Sequence, residues 1–344
     1  MSDHLLSPLP WQQQLWLRLS GQQADGKLPH ALLLVGHEGI GKVHFAKAFA
    51  RLLTCLSPVN QTPCGNCKTC LLMKAGSHPD YLYLAPEDKS RVIKIDQVRQ
   101  LTEFVAKTPQ QGNHKVAIIE PAESLNLNAA NALLKCLEEP AGNTTLILVS
   151  HMPSLLMATI RSRCQQLEFA IPDRSQSLEW LTPLAVGQEP EYLLDCAAGA
   201  PLTALELMDG DQLEIREQFA RYLIDIAEFR ISPLDVAQKL QGGDPLALVE
   251  MLLFWLQLSA KARFSDASPH HEGEKLVVGK LLLVREQLVF RLLDKLIITK
   301  RQLLSGSNPN KQLLLEELLM DWQALLKQSQ RPQQARHSLL NGLN

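Results

Sequence analysis

Short apolar runs alternate with helical patterns along the first half of the chain. Three runs are rich in aliphatic residues and lack polar alternation, which is typical of strands buried on both faces of a parallel sheet. They span residues 31–35, 116–119 and 146–149. Because helical segments separate these runs, residues 1–168 are predicted to form an α/β domain, a parallel sheet with flanking helices.

The pattern changes twice after residue 168. Prolines divide residues 169–208 into short helical pieces, and this segment is predicted to be a small helical domain. Leucine-rich helical periodicity dominates residues 209–344, which are predicted to form an all-α domain. One broad apolar stripe in that domain is predicted to lie in the core of a helical bundle; it comprises Leu313, Leu314, Leu318, Leu319, Trp322, Leu325 and Leu326.

Composition narrows the class of protein. The 344 residues include 34 Lys and Arg against 36 Asp and Glu, a net charge of −2. This balance argues against a protein that coats nucleic acid by charge, since such binding depends on clustered cations. The sequence has no uninterrupted apolar run long enough to span a bilayer and no basic leader followed by an apolar core, so we expect a cytoplasmic protein with no membrane partner.

A glycine-rich segment follows the first apolar run and precedes a helical pattern. Its glycines Gly36, Gly39 and Gly41 and its lysine Lys42 have the spacing of a phosphate loop, which binds phosphates through backbone N–H groups and a helix N-terminus. The next position normally carries a Ser or Thr that ligates Mg²⁺, but here it is Val43. Nucleotide binding is therefore expected to be weak or absent, and the alternative is a strand–helix turn that binds nothing.

A second nucleotide-binding element is expected where an apolar strand ends in acidic residues. The run 116–119 is followed by Glu120 and then by Pro121 in the place of the acid that would polarise the attacking water. Proline has no acid–base group, so water activation is predicted to be lost here. Glu123 lies two residues further on and is expected to be a solvated surface group.

Four of the seven cysteines fall within sixteen residues. Cys55, Cys64, Cys67 and Cys70 have the spacing C-x8-C-x2-C-x2-C, with turn-forming residues between them. Four thiolates satisfy a tetrahedral Zn²⁺ and leave no open position, which favours a structural zinc site. A redox pair and an iron–sulfur cluster are the alternatives. The other three cysteines are expected to be small core residues.

Together these features resemble the bacterial DNA polymerase III clamp-loader family. The similarity extends over most of residues 8–210 and is weak in the C-terminal third, and within the family it is greatest to the rigid type of subunit that does not hydrolyse ATP. Its most specific parts are residues 131–140, from Asn131 to Pro140, and the segment Ile160-Arg161-Ser162-Arg163-Cys164. The resemblance implies an AAA+ module, a helical lid and a helical collar domain that mediates oligomerisation.

The resemblance also implies partners and a role for one arginine. Subunits of the family form a five-membered ring, with motor subunits of the tau/gamma type and a delta subunit, that loads the sliding clamp onto primer–template DNA. Arg163 corresponds to the arginine finger, which one subunit inserts into the ATP site of its neighbour. By the same alignment Leu202 replaces a lid arginine that senses the γ-phosphate. The chain is thus expected to act without catalysis of its own, and any polymerase chemistry belongs to another subunit.

Two other functions stay open at this point. The chain could be an active AAA+ motor subunit that uses Lys42, in which case the purified chain turns over ATP. It could instead be a zinc-dependent nucleic-acid-binding module, in which case it binds DNA tightly until the metal is removed. The near-neutral charge disfavours the second alternative, and the three departures at Val43, Pro121 and Leu202 disfavour the first.

Overall fold

The computed structural model describes residues 7–87, 90–112, 114–138, 142–208, 211–264, 271–304 and 310–341, with side chains up to residue 327 in the last range. Glu139 and Pro140, which end the 131–140 motif, lie outside these ranges. The described chain divides into two compact units, Met1–Leu205 and Glu206–Asn344. The finer division at residues 168 and 208 stays a prediction.

The first unit is built on one parallel sheet of five strands in the order β2-β3-β4-β1-β5. The strands are β1 (Ala31–Gly36), β2 (Tyr81–Leu84), β3 (Lys115–Ile119), β4 (Thr144–Ser150) and β5 (Gln165–Phe169). The three predicted runs form β1, β3 and β4 at the centre, where Leu33 pairs with Leu148 and Ala117 with Leu146. All three apolar runs are buried, because helices flank the sheet. The predicted fold class is confirmed.

Helices connect the parallel strands of this unit. They are α1 (Gln13–Ala24), α2 (Lys42–Thr54), α3 (Lys68–Lys74), α4 (Ile95–Ala106), α5 (Leu127–Glu138), α6 (Ala158–Arg161), α7 (Arg174–Leu181), α8 (Pro190–Cys196) and α9 (Pro201–Glu206). Buried faces of α4 and α5 cover one part of the sheet, with Leu101 and Leu133 fully buried against it. Aromatic residues of α1 and α2 form a second packed group, in which Trp16 meets Phe45 and Phe49 edge to face.

In the second unit, every regular element of the described residues is a helix. The helices are α10 (Gln212–Ala227), α11 (Pro233–Leu240), α12 (Pro245–Ala262), α13 (Glu272–Leu282), α14 (Glu286–Leu304) and α15 (Lys311–Asn341). Trp255 and Trp322 are fully buried in their common core. By length and composition α12 alone, among the described helices, is apolar enough to cross a membrane. Since half of it is buried within the unit, including Leu252 and Leu256, it is the core helix of a bundle.

Candidate functional site

The glycine-rich segment forms the turn between β1 and α2 that a phosphate loop requires. Gly39 and Gly41 have φ angles of +72° and +91°, a backbone region that residues with a Cβ rarely adopt. Lys42 begins α2, but its side chain folds back onto the loop. Its Nζ donates to the carbonyl of Gly36 at 2.7 Å and to that of His37, and the residue is 2% exposed. Burial lowers the pKa of Lys42 to about 8.

The outer side of this loop is covered by other parts of the first unit. A methyl group placed on Gly39 would lie 1.9 Å from Oγ1 of Thr203, so the N-terminal turn of α9 sits directly against the loop. The backbone N–H of Leu202 donates to the carbonyl of Gly39 at 2.9 Å. Leu202, which the resemblance aligns with the lid arginine, therefore lies against the phosphate loop.

The segment before α1 covers the loop from a second direction. The side-chain amide of Gln12, which is buried, donates to the carbonyls of Ile40 at 3.3 Å and Gly41 at 2.9 Å. The indole N–H of Trp11 donates to the same Ile40 carbonyl at 2.9 Å, and its ring meets Trp180 of α7 edge to face. The loop is thus hydrogen-bonded to protein on both sides, in a closed arrangement.

Acidic residues lie beyond the end of β3, at the same edge of the sheet as the loop. Glu120 accepts a hydrogen bond from the hydroxyl of Tyr83 and lies 3.8 Å from Nε2 of His151. Burial opposes ionisation of Glu120, but the contacts with His151 and Tyr83 outweigh it and lower its pKa. Pro121 follows and has no side-chain acid–base group, so the carboxylate of Glu120 is engaged with Tyr83 and His151 and the next position supplies no base.

Glu123 is not the solvated surface group that the sequence analysis expects. Its Oε1 accepts from the backbone N–H groups of His151 and Met152, at 2.8 and 2.9 Å. The expectation was wrong because the chain turns after Pro121 and brings Glu123 to the end of β4, where two backbone donors need an acceptor. The charges of Glu120 and Glu123 both act on Lys42, so the structure brings these three residues into one neighbourhood.

Arg163 lies on the surface, two residues after the end of α6. Its Nε donates to Oε1 of Glu138 at 2.9 Å, its Nη2 lies 2.6 Å from the same oxygen, and its Nη1 donates to the carbonyl of Thr159 at 3.0 Å. About a third of its side chain is exposed, 35%. The neighbouring Cys164 packs against the core, where burial raises the pKa of its thiol to about 12.

The four clustered cysteines converge after α2. Their Sγ atoms all lie within 4.8 Å of one another. The distances are 3.6 Å from Cys55 to Cys64, 3.9 Å from Cys55 to Cys67 and 4.0 Å from Cys64 to Cys70. A tetrahedral metal with bonds of about 2.3 Å to sulfur separates its ligands by about 3.8 Å, whereas a disulfide requires about 2.0 Å. The donor set therefore fits a four-coordinate thiophilic metal ion.

Hydrogen bonds favour the thiolates of Cys64 and Cys67, whereas burial raises the pKa of Cys55 and Cys70. The backbone N–H of Cys64 points to Sγ of Cys55, and that of Cys67 points to Sγ of Cys64, both at 3.4 Å. Contact with the hydroxyl of Ser57 lowers the pKa of Cys64. Burial opposes ionisation of Cys67, but hydrogen bonds that include the hydroxyl of Thr69 lower its pKa to about 5. Such outer contacts orient metal ligands and stabilise their charged form.

The cysteine-rich insert is anchored to α1 through one turn. Val59 pairs with Thr62 across Asn60 and Gln61, which both have positive φ angles, as in a tight hairpin turn. The carbonyl of Gln61 accepts a hydrogen bond from the indole N–H of Trp16 at 3.0 Å. The insert therefore packs on the same helix that begins beside Gln12.

Three residues of this region were missed by sequence reasoning. Gln12 and Thr203 close the phosphate loop, and Glu138 holds Arg163. Nothing in local periodicity marks Gln12 or Thr203, because their contacts join segments separated by 29 and 164 positions in the chain. Glu138 was available as part of the 131–140 motif, but its partner becomes evident only when α5 and α6 are placed side by side.

Known proteins match this sequence along nearly the whole chain. The family model described as "DNA polymerase III, delta subunit" matches residues 11–173, and its C-terminal counterpart matches residues 210–324. The DNA polymerase III subunit delta' of Pseudomonas aeruginosa is 38% identical over 92% of this chain and 97% of its own length. That of Escherichia coli is 31% identical over 90% of this chain and 94% of its own length.

A solved structure of a DNA polymerase III gamma subunit-related protein from Thermotoga maritima covers 94% of this chain and 100% of its own, at 17% identity and a TM-score of 0.45. The parallel sheet with a phosphate-loop turn after β1 and the helical domain that follows, together with the family model, place the chain in the class of AAA+ clamp-loader proteins. The similarities narrow that class: the chain belongs to the DNA polymerase III subunit delta' family. The resemblance stated from the sequence is confirmed.

Proposed function

We propose that this chain is a non-hydrolysing subunit of the DNA polymerase III clamp loader and that it supplies Arg163 to the ATP site of a neighbouring subunit. The observation that carries the proposal is the closed phosphate loop. Lys42 is bonded to the loop's own carbonyls, and Thr203 and Gln12 occupy its surroundings. Lys42 would have to leave the loop carbonyls before its ammonium could reach a phosphate, while Val43 offers no hydroxyl to a Mg²⁺ ion.

Arg163 has the chemistry that an arginine finger needs. A guanidinium presented to a transferring phosphoryl group stabilises the charge that develops on its oxygens. The side chain is partly exposed and lies in the turn that follows α6, which a neighbour in a ring could reach. We expect the partners to be motor subunits of the tau/gamma type and a delta subunit, in a five-membered ring that acts on the sliding clamp and primer–template DNA. One relative of this chain is itself named a tau/gamma subunit.

We also propose that Cys55, Cys64, Cys67 and Cys70 hold a structural zinc ion. The sulfur separations fit a tetrahedral ion, and the hydrogen bonds to sulfur suit thiolates. Zinc bound there would crosslink the end of α2 to α3 and would leave no coordination position for a substrate. These residues are expected to stabilise the insert.

The test compares ATP turnover by the isolated chain and by a complex reconstituted with the other clamp-loader subunits of the same organism. We expect no turnover by the isolated chain. In the complex, Arg163→Ala should slow ATP hydrolysis at the site that it serves by about a thousandfold or more. The total hydrolysis rate of the complex should then fall by the fraction that this site contributes. Arg161→Ala, which removes an exposed arginine two positions away, is the matched control and should leave the rate unchanged.

Two results would contradict the proposal. Turnover by the isolated chain that is abolished by Lys42→Ala would make it a motor subunit. An unchanged rate in the complex with Arg163→Ala, after assembly has been verified by gel filtration, would show that Arg163 is not an arginine finger.

A further inference from the structure

The guanidinium of Arg163 is held in one orientation by two elements of the first unit. Glu138 is the last residue of α5, and its Oε1 accepts from Nε at 2.9 Å and lies 2.6 Å from Nη2. The carbonyl of Thr159, in α6, accepts from Nη1 at 3.0 Å. A flexible side chain is thus fixed by one carboxylate and one backbone carbonyl.

The contacts divide the five N–H donors of the guanidinium in a particular way. Nε–H donates to Glu138, Nη2 lies 2.6 Å from the same oxygen, and one Nη1–H donates to Thr159. Nη1 and Nη2 each carry two hydrogens, so both retain N–H groups beyond these contacts. Two parallel donors on one edge are the arrangement that binds two oxygens of a phosphoryl group. The pair with Glu138 therefore holds the arginine and still leaves N–H donors for an anion.

We infer that Glu138 is a positioning residue for Arg163 in the ATP hydrolysis of the neighbouring subunit. The inference rests on the proposed function of Arg163 and adds a residue that does not touch the nucleotide. Its physical basis is preorganisation. An arginine that is already held in its working orientation loses less side-chain freedom when it meets the transition state.

The size of the effect follows from the exposure of the pair. The side chains of Arg163 and Glu138 are 35% and 51% exposed, so the pair is partly solvated. Exposed pairs of this kind shift a conformational equilibrium by a factor of about two to five. We therefore expect Glu138→Ala to lower the Arg163-dependent rate, defined as the wild-type rate minus the Arg163→Ala rate, by about two- to fivefold.

The experiment measures steady-state ATP hydrolysis by the reconstituted complex with wild-type chain, Glu138→Ala, Glu138→Gln, Arg163→Ala and the double variant Glu138→Ala/Arg163→Ala. Co-elution in gel filtration verifies assembly of each complex. Glu138→Ala should lower kcat and leave KM for ATP unchanged, because positioning acts on the transition state. Glu138→Gln should fall between the wild type and Glu138→Ala, because its amide oxygen still accepts a hydrogen bond but carries no charge.

The control is Asp96→Ala, which removes another exposed carboxylate bound to an arginine, 2.7 Å from Arg99, and should leave the rate unchanged. In the Arg163→Ala background, Glu138→Ala should have no further effect. An additional loss in that background, or a wild-type kcat for Glu138→Ala, would overturn the inference while Arg163→Ala still lowers the rate. A wild-type rate for Arg163→Ala would instead overturn the proposed function, and the role of Glu138 with it.

Discussion

The contact between Gly39 and Thr203 provides a direct test of the closed phosphate loop. Replacing Gly39 by Ala adds one methyl group at a backbone φ of +72°, where it would lie 1.9 Å from Oγ1 and 2.8 Å from Cβ of Thr203. The backbone strain alone costs about 1–2 kcal/mol, and forcing a methyl group into an occupied space adds about 1–3 kcal/mol. The variant should therefore lose about 2–5 kcal/mol of unfolding free energy.

Gly26→Ala separates the two contributions. Gly26 has a nearly equal φ of +67°, lies in the same unit and has nothing within 4 Å of its added methyl group, so its replacement should cost only the strain of about 1–2 kcal/mol. Unfolding in urea, followed by tryptophan fluorescence, measures both. Thr203→Ala in the Gly39→Ala background should recover part of the loss, since it removes Oγ1 but keeps Cβ. Equal losses of unfolding free energy for the two glycine variants would refute the close contact of Thr203 with Gly39.

Three further predictions concern the metal, a titrating lysine and a buried ion pair. The purified chain should contain one zinc ion, measured colorimetrically after thiol displacement, and Cys64→Ser should release it and lower the thermal midpoint. Because burial lowers the pKa of Lys42 to about 8 from an ordinary 10.5, the folded chain loses this proton before the unfolded chain does. Stability should then rise by about 2–3 kcal/mol between pH 8 and 10.5, after allowance for solvent screening, and urea unfolding of Lys42→Met should lack this rise. Glu274 accepts from Nε of Arg216 and from the indole of Trp255 in the core of the second unit. Glu274→Ala should therefore cost about 3–5 kcal/mol, and the same unfolding assay should show a smaller loss when Arg216 is also replaced by Met.

The sheet shows what apolar pattern can and cannot reveal. The central strands β1, β3 and β4 are buried on both faces, so each is a continuous aliphatic run that can be recognised as a strand from the sequence. The edge strands were not identified. β5 buries only Leu167 and Phe169 of its five residues, and the four residues of β2 include the exposed Tyr83. An edge strand has only one neighbouring strand and is only partly covered by helices, so its sequence shows little of the continuous apolar run typical of a central strand.

Short-range chemistry was likewise evident from spacing. The four cysteines lie close together in the chain, and tetrahedral geometry restricts how they can meet, so the cluster could be predicted before its sulfur distances were seen. The loss of the Mg²⁺ hydroxyl at Val43 and of an acid at Pro121 is a matter of residue type. The resemblance to the clamp-loader family followed from motifs of the same local kind.

The sequence by itself determined the fold class and the family and located the candidate site residues in short motifs, because each of these depends on neighbours within one element or one motif. The tertiary structure alone decided that the phosphate loop is closed by Gln12 and Thr203, that Glu123 caps backbone donors at the end of β4, and that Glu138 orients Arg163. These contacts join residues from 25 to 164 positions apart. Local periodicity carries no information on such pairs, since they meet only after the strands have paired and the helices have packed.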